Sequence, residues 1–514
     1  MDDSSITRDS HSRLPVELWR LIIEDLPSAD QRSCLLVSKL FHDVALGHVF
    51  SRVTIWFGHW TTQWQGLPPD MNFAPDEEDE LLFIRRNHAS YELLRRISRD
   101  AAFARLVKDL SIRAYASEDG IFEKRMERST VFMCAVLISY TGCLLDALEC
   151  LPNLRAFRWY GEGPPMEAAV IDTLLKSCSA TLTELSMPFV PFLALHRTRP
   201  QSNHCVATTS TSVDEEGESL LCLENAPSAL RRLWIQGTAI WEAPIRLFSR
   251  LQELFLLIPD SLDGLNLVFH HCAELRSFGL MTHHGECAED LRVAMEKSPD
   301  ALPQLTAFKL ILYSYRDSHA VTVALARFLR GKKELRRLDV HSHYVSDVDE
   351  TAPFYDIMRE LPKLEVVGLR MKGSQFSQEV LARLDGRLPM GLKALLIEHN
   401  YTTLAEGFLR GFIDVLSKRT GLRYLHILDC MYHMDLKEQL LEDHPPSLEL
   451  IGYGPQLYRI ERDPQTGLQV YTASWDYAKV AFRTVHDFGC EDWEWLLRAH
   501  GWGGPDDLAP GIYT

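Results

Sequence analysis

Apolar residues recur along this chain with the spacing of helices at one end and of a strand repeat over most of the rest. Leu14, Leu18, Leu21, Ile22 and Leu26 fall at offsets 0, 4, 7, 8 and 12, which is one face of an α-helix. Pro15 suits the first turn, where a missing N–H costs nothing, and Pro27 stops the helix. Ser28-Ala29-Asp30-Gln31 has the form of a capping box, with Ser28 accepting from the next turn and Gln31 reaching back. Leu36, Val37, Leu40, Phe41, Val44 and Ala45 make another helical stripe at offsets 0, 1, 4, 5, 8 and 9. Three short helices bury little apolar surface, so such a unit leans on a partner or on the next domain.

Beyond about residue 106 the dominant pattern is LxxLxL. Its leading leucines are Leu154, Leu182, Leu230, Leu251, Leu275, Leu305, Leu335, Leu364, Leu392, Leu422 and Leu448, with intervals of 21, 24, 30, 30, 29, 28, 30 and 26 from Leu230 onward. Val107–Ile112 reads as a plausible first unit. Leucine-rich repeats have periods of roughly 20–29 residues, and this spacing resembles their long end. Helical spacing fills the gaps, at Val321–Leu329, Gln378–Leu384 and Leu404–Leu416. One strand–helix unit cannot bury its apolar face, but a stack can. The Asn or Cys that usually closes such a repeat is mostly missing, with Cys430 the clean exception. The predicted fold is therefore α/β: a three-helix module over 13–52, a linker over 53–105 and an irregular solenoid over 106–454. Residues 1–12 read as a disordered tail. His196–Ser219, rich in Ser, Thr and acids, reads as a mobile loop. Residues 455–514 read as a C-terminal cap, with Tyr458–Ile460 and Leu468–Tyr471 as a hairpin and Trp493–His500 as a closing helix.

The first module also resembles a known family. Leu14-Pro15-Val16-Glu17-Leu18-Trp19-Arg20-Leu21-Ile22 is similar to the opening of F-box domains. Leu26-Pro27 matches the break after their first helix, and Leu36-Val37-Ser38-Lys39-Leu40-Phe41 their "VSKxF/W" stretch. Phe41 stands where many members have Trp, and Gln31 and Arg32 where many have Leu. The resemblance implies docking on a Skp-type adaptor, and through it on a cullin, by Leu14, Pro15, Leu18, Ile22, Leu26, Leu35, Val37 and Phe41. It also implies a ubiquitin-ligase subunit with no catalytic residues of its own. The competing reading of the bare sequence is that these side chains are simply the core of a helical bundle.

Composition narrows the partners. The net charge of −17, from 54 basic and 71 acidic residues among 514, opposes unspecific binding to nucleic acid or anionic membrane. The longest apolar run, Val131–Leu145, is too short to span a bilayer and reads as a buried helix. Eleven cysteines without a CxxC pair suit a reducing compartment, cytoplasmic or nuclear. No P-loop, HExxH or GxSxG occurs. His270-His271-Cys272 and His283-His284-Gly285-Glu286-Cys287 lack partners at finger spacing, so neither a metal nor a cofactor is expected.

Strand alternation places the fifth and seventh residues of each LxxLxL on the face away from the leucines, the concave surface in leucine-rich repeats. That gives Arg158, Tyr160, Trp234, Gln236, Phe255, His341, Arg370 and His426 as candidate substrate-binding residues. Trp234 and Phe255 share a phase on neighbouring strands and are expected to stack as exposed anchors, aromatics and Arg being the side chains that recognition hot spots favour. Two functions fit the sequence. One is the substrate receptor of a Skp–cullin–F-box ligase. The other is a non-degradative repeat scaffold that uses its adaptor outside a cullin complex.

Overall fold

The computed structural model describes residues 14–26, 28–57, 77–114, 130–160, 166, 168–187, 229–236, 241, 245–257, 259, 261–282, 285–312, 318–342, 352–371, 378–399, 408–428, 440, 443, 445–454, 456–475, 485–498 and 500. The expected tail 1–12, the loop 196–219, Cys430 and the His283-His284 pair lie outside them. Among the described residues no helix is long and apolar enough to cross a membrane.

Three helices open the chain: α1 (Val16–Asp25), α2 (Ser28–Cys34) and α3 (Lys39–Val49). They meet around Ile23, Cys34, Val44 and Ala45, with Leu26, Leu35 and Phe41 half-buried against this small core. The expected capping box works differently. Gln31 Nε2 donates to the carbonyls of Ile23 and Glu24 at 3.0 and 3.1 Å. It thereby satisfies the last turn of α1, whose carbonyls have no further helix to bond to. The helix start that is capped by a neighbouring hydroxyl is that of α3, where Ser38 accepts from Phe41 N at 3.3 Å.

Two residues, Phe50 and Ser51, join α3 to the first strand. The strands are β1 (Arg52–Phe57), β2 (Asp109–Ala114), β3 (Ala156–Tyr160), β4 (Glu184–Met187), β5 (Arg232–Gln236), β6 (Glu253–Leu257), β7 (Ser277–Thr282), β8 (Ala307–Leu312), β9 (Arg337–Ser342), β10 (Val366–Met371), β11 (Ala394–His399), β12 (Tyr424–Leu428), β13 (Leu450–Tyr453), β14 (Gln456–Arg462) and β15 (Gln469–Tyr471). They form one open sheet in sequence order. Pairing is parallel from β1 to β13, and β14 and β15 then fold back antiparallel. The expected terminal hairpin is thus present. The stretch expected as a linker, 53–105, instead contains the first unit. Its β1 pairs with β2 from Arg52↔Asp109 to Phe57↔Ala114. Val53, Ile55 and Phe57 alternate into the core, but no leading leucine marks them.

Between the strands run α4 (Glu77–Arg99), α5 (Ala101–Ala104), α6 (Thr130–Glu149), α7 (Ala168–Cys178), α8 (Ile245–Phe248), α9 (Leu265–His271), α10 (Gly285–Lys297), α11 (Ser318–Leu329), α12 (Ala352–Glu360), α13 (Gln378–Arg387) and α14 (Phe408–Ser417). From α8 to α14 each packs on the next. All eleven leading leucines are at most 4% exposed and join one continuous core between sheet and helices. This is the leucine-rich α/β solenoid that the spacing predicts: each strand contributes alternate residues to a core that only its neighbours complete.

Arg419 ties two units together on the helix side. It is fully buried and sits against the Asp385 carboxylate. Its Nη1 donates to the Val415 carbonyl at 2.5 Å, and Nη2 to those of Asp385 and Leu388 at 2.6 and 3.2 Å. These are helix-end acceptors with few other donors in reach. Arg419→Met keeps the bulk and removes the donors. It is expected to lower stability by about 2–4 kcal/mol, read as a shift in the urea midpoint.

Candidate functional site

The sheet's second face, away from α4–α14, carries the residues read from the sequence as a binding surface. Trp234 and Phe255 are register partners, with ring centroids 4.9 Å apart at 35°, so the expected stacking is present. The expected exposure is not. Phe255 is 3% exposed and packs with Leu257, Met281 and Ile311, while Trp234 is half-buried against them. His341, Arg370 and His426 are buried, and Arg158 and Tyr160 half-buried. The Gln236 side chain lies outside the described residues.

Much of this face is covered by the end of the chain. Helices α15 (Val485–Phe488) and α16 (Glu491–Leu497) come last, and α16 packs on β9, β10 and β11. The expected closing helix therefore lies across the face and not at the end of the stack. Asp492 receives Arg336 Nη2 at 2.6 Å and Arg337 Nε at 2.7 Å. Trp493 packs on Tyr424, centroids 5.6 Å apart. Trp495, Leu496 and Leu497 join Ala307, Val366, Ala394, Leu396 and Leu450 in a second apolar core. Lys309 Nζ, 0% exposed, donates to the carbonyls of Leu496 and Arg498 at 2.9 and 2.6 Å. A cation there satisfies the helix's orphan acceptors and faces the negative end of its dipole. Arg498 lies over the Trp234 ring, 4.0 Å from its centroid, and shares Glu253 with Trp234 Nε1.

At the centre is a buried charge cluster. Asp339 Oδ2 contacts Lys309 Nζ at 2.6 Å and His500 Nε2 at 2.7 Å. His341 Nδ1 meets Glu398 Oε2 at 2.7 Å, and Arg370 Nη2 lies 3.2 Å from Glu398 Oε1. His341 Nε2 and Asp339 Oδ1 approach to 2.9 Å without hydrogen-bond alignment. The two imidazoles are 4.2 Å apart, too close for both to be charged. Burial and the positive charges of His341 and Lys309 push His500 down to about 3 against the pull of Asp339. Burial also opposes charge on His341, but Asp339 and Glu398 outweigh it and raise its pKa. Burial would raise Glu398, yet His341 and Arg370 hold it down at about 2. The pair thus holds at most one positive charge, which its surroundings favour on His341.

Asp339, His341 and His500 also bring three potential ligand atoms within 4.8 Å, and a carboxylate behind the imidazole, as Glu398 is behind His341, is common in metal sites. Lys309 argues against a metal. Its ammonium already occupies the cation position beside Asp339, and a divalent ion would add buried charge that nothing balances.

The other surface is on the first module. Leu14, Pro15, Leu18, Ile22 and Val37 are exposed as the family resemblance requires, while Leu26, Leu35 and Phe41 belong to the small core. The α1 stripe that periodicity suggests as a core face points outward; the residue buried from α1 is Ile23. Leu21, Leu36 and Leu40, absent from the expected set, are exposed too, Leu36 at 90%. Contiguous apolar exposure of this kind marks an interaction site. Residues 11–52 match the F-box domain family. This chain carries an F-box. No curated protein matches it. Among solved structures, the Rad7 and Elc1 complex in yeast aligns at TM-score 0.32 and 13% identity, over 71% of this chain and 82% of that one. Human 5T4 (Wnt-activated inhibitory factor 1, trophoblast glycoprotein) aligns at 0.28 and 19%, over 44% and 82%. The assignment of the array rests on its own strand register, and that of the F-box on its family match.

Beyond the F-box, two changes test the covered face. Gly368 is the register partner of Asp339, and a Cβ there would overlap the Asp339 carboxylate. Gly368→Ala is expected to cost about 1–3 kcal/mol, read as a lower Tm. The second concerns pH. In the opened chain His500 takes a proton below roughly 6.5; on the sheet it refuses one until about 3. Its contribution is therefore complete at neutral pH and shrinks as pH falls below 6.5, by about 1.4 kcal/mol per unit. His341, with its raised pKa, adds no slope there and loses its contribution as pH rises. The stability difference between wild type and His500→Gln should narrow from pH 6.5 to 5. A constant difference in urea titrations would refute this.

Proposed function

We propose that this chain is the substrate-recognition subunit of a Skp–cullin–F-box ubiquitin ligase, acting in the cytoplasm or nucleus. The observation that carries the reading is the outward apolar stripe of α1, extended by Leu36, Val37 and Leu40. A three-helix module that turns its aliphatics to solvent has too little core to stand alone. The Skp-type adaptor is the partner that its family membership supplies. The repeats then hold a protein substrate, and the chain contributes proximity to a charged ubiquitin carrier, with no chemistry of its own.

The junction supports this role. Phe50 packs 4.9 Å from Phe103 in the first unit, and the Ser51 carbonyl accepts from Lys108 N and Asp109 N at 2.8 and 2.9 Å. With two residues between α3 and β1, a docked F-box fixes where the array points.

Leu36→Asp alters a side chain that touches no core. Co-purification of the adaptor and its cullin is expected to fall at least about 30-fold, the scale of a hot-spot loss of 2 kcal/mol, with the array's Tm unchanged. Undiminished adaptor capture by Leu36→Asp would sink the docking assignment. An adaptor that co-purifies without any cullin would sink the ligase role.

A further inference from the structure

We propose that Glu491–His500 is an intramolecular ligand of the inner sheet face, and that the face's partner is a short helix of the same chemistry: an acidic first turn, two indoles one residue apart, then a basic residue. The proposal rests on the repeats being a protein-binding surface, and it names both the class of segment they take and what that segment must displace. The covering is made as recognition is made. An aspartate is clamped by two arginines, Trp493 packs on Tyr424 with the Arg423 guanidinium 5.4 Å from its ring centroid, and the Lys309 ammonium lies 4.8 Å from the centroid of Trp495. Aromatic anchors in closed pockets, framed by charge pairs, are the features of a helix docked in a groove.

The receptor side points the same way. Lys309 and Asp339 are strand residues, 0% exposed, and both bond the segment: Lys309 to its carbonyls and Asp339 to His500. A face that only needed closing would do so more cheaply with aliphatics, since a buried ion pair often does no better than the apolar residues that could replace it. What these charges supply is register. Lys309 reads the two carbonyls at the end of α16, Asp339 reads His500, and Arg336 and Arg337 read the start. Nine residues, 476–484, connect Trp475 to Val485. Covalent attachment keeps the resident segment near the face, so a competitor must act against it.

The experiment uses the full chain and a labelled peptide of residues 488–500. Asp492→Ala/Trp495→Ala weakens the resident segment without touching the face. This variant is expected to bind the peptide at least ten-fold more tightly than wild type, and adding Arg336→Ala/Arg337→Ala on the face should abolish the gain. A folded variant that binds no better than wild type overturns the proposal, as does a gain indifferent to the two arginines. Hydrogen exchange on the unaltered chain covers the case in which the variant fails to fold. Amides of 493–497 are expected to exchange at least ten-fold faster than those of β9–β11. Exchange in step with the strands would make the segment a permanent part of the core and overturn the proposal. Adaptor co-purification, run on the same variants, separates the two readings: it depends on the F-box alone, so it survives if only the segment's role is wrong.

Discussion

A parallel sheet as apolar as this one is covered on both faces, and most of this architecture follows from how that is done. On one side helices run between most of the strands, and the leading leucines fill the layer between helices and sheet. On the other side the strands bring nothing. Ala307, Val366, Ala394, Leu396 and Leu450 there are as apolar as a core requires, and a segment from the far end of the chain closes over them. Arg498 and Glu253, paired across this face, are separated by 245 positions. The solenoid is thus built from local contacts on its helical side and is covered by one distant segment on its inner side.

The two surfaces solve opposite problems. The F-box exposes aliphatics around a core of four buried residues, so its energy is completed by another protein. The inner face buries charge, with Lys309, Asp339, His341 and His500 all within a few ångströms. Such a group is tolerable only because each charge meets a partner: Asp339 with Lys309, and Glu398 with Arg370 and His341. Removing any one member strands the rest in a medium that cannot solvate them.

How far the sequence carried the reading depends on the kind of information each feature needs. The leucine ladder was legible because a strand repeat needs only local spacing. So was the terminal hairpin. The first unit was not, since β1 reaches the core with Val53, Ile55 and Phe57 and lacks the leading leucine. The α1 stripe was legible as a face but not as an exposed one: periodicity says which residues lie together, not what covers them. The same limit applies to Trp234 and Phe255, whose stacking follows from register while their burial follows from residues elsewhere. A signal did exist. Strands such as Ala394-Leu395-Leu396-Ile397 are apolar at consecutive positions, the mark of a strand buried on both sides. Gln31 misled for a simpler reason. An amide at the start of one helix can equally serve the end of the helix before it.

The glycines of the inner face carry an implication for how such an array can change. Phe255 leans over Gly279, Asp339 over Gly368 and His426 over Gly452, each from the strand before into space that a Cβ would fill. A large side chain and the vacancy it occupies are therefore encoded in different units. Excising the β7 or β10 unit would set Phe255 against Lys309, or Asp339 against Leu396, in place of a glycine. Repeats that look exchangeable on the helical side are ordered like keys and locks on the inner one, so a unit cannot be dropped at these places without changing the side chain that its neighbour meets.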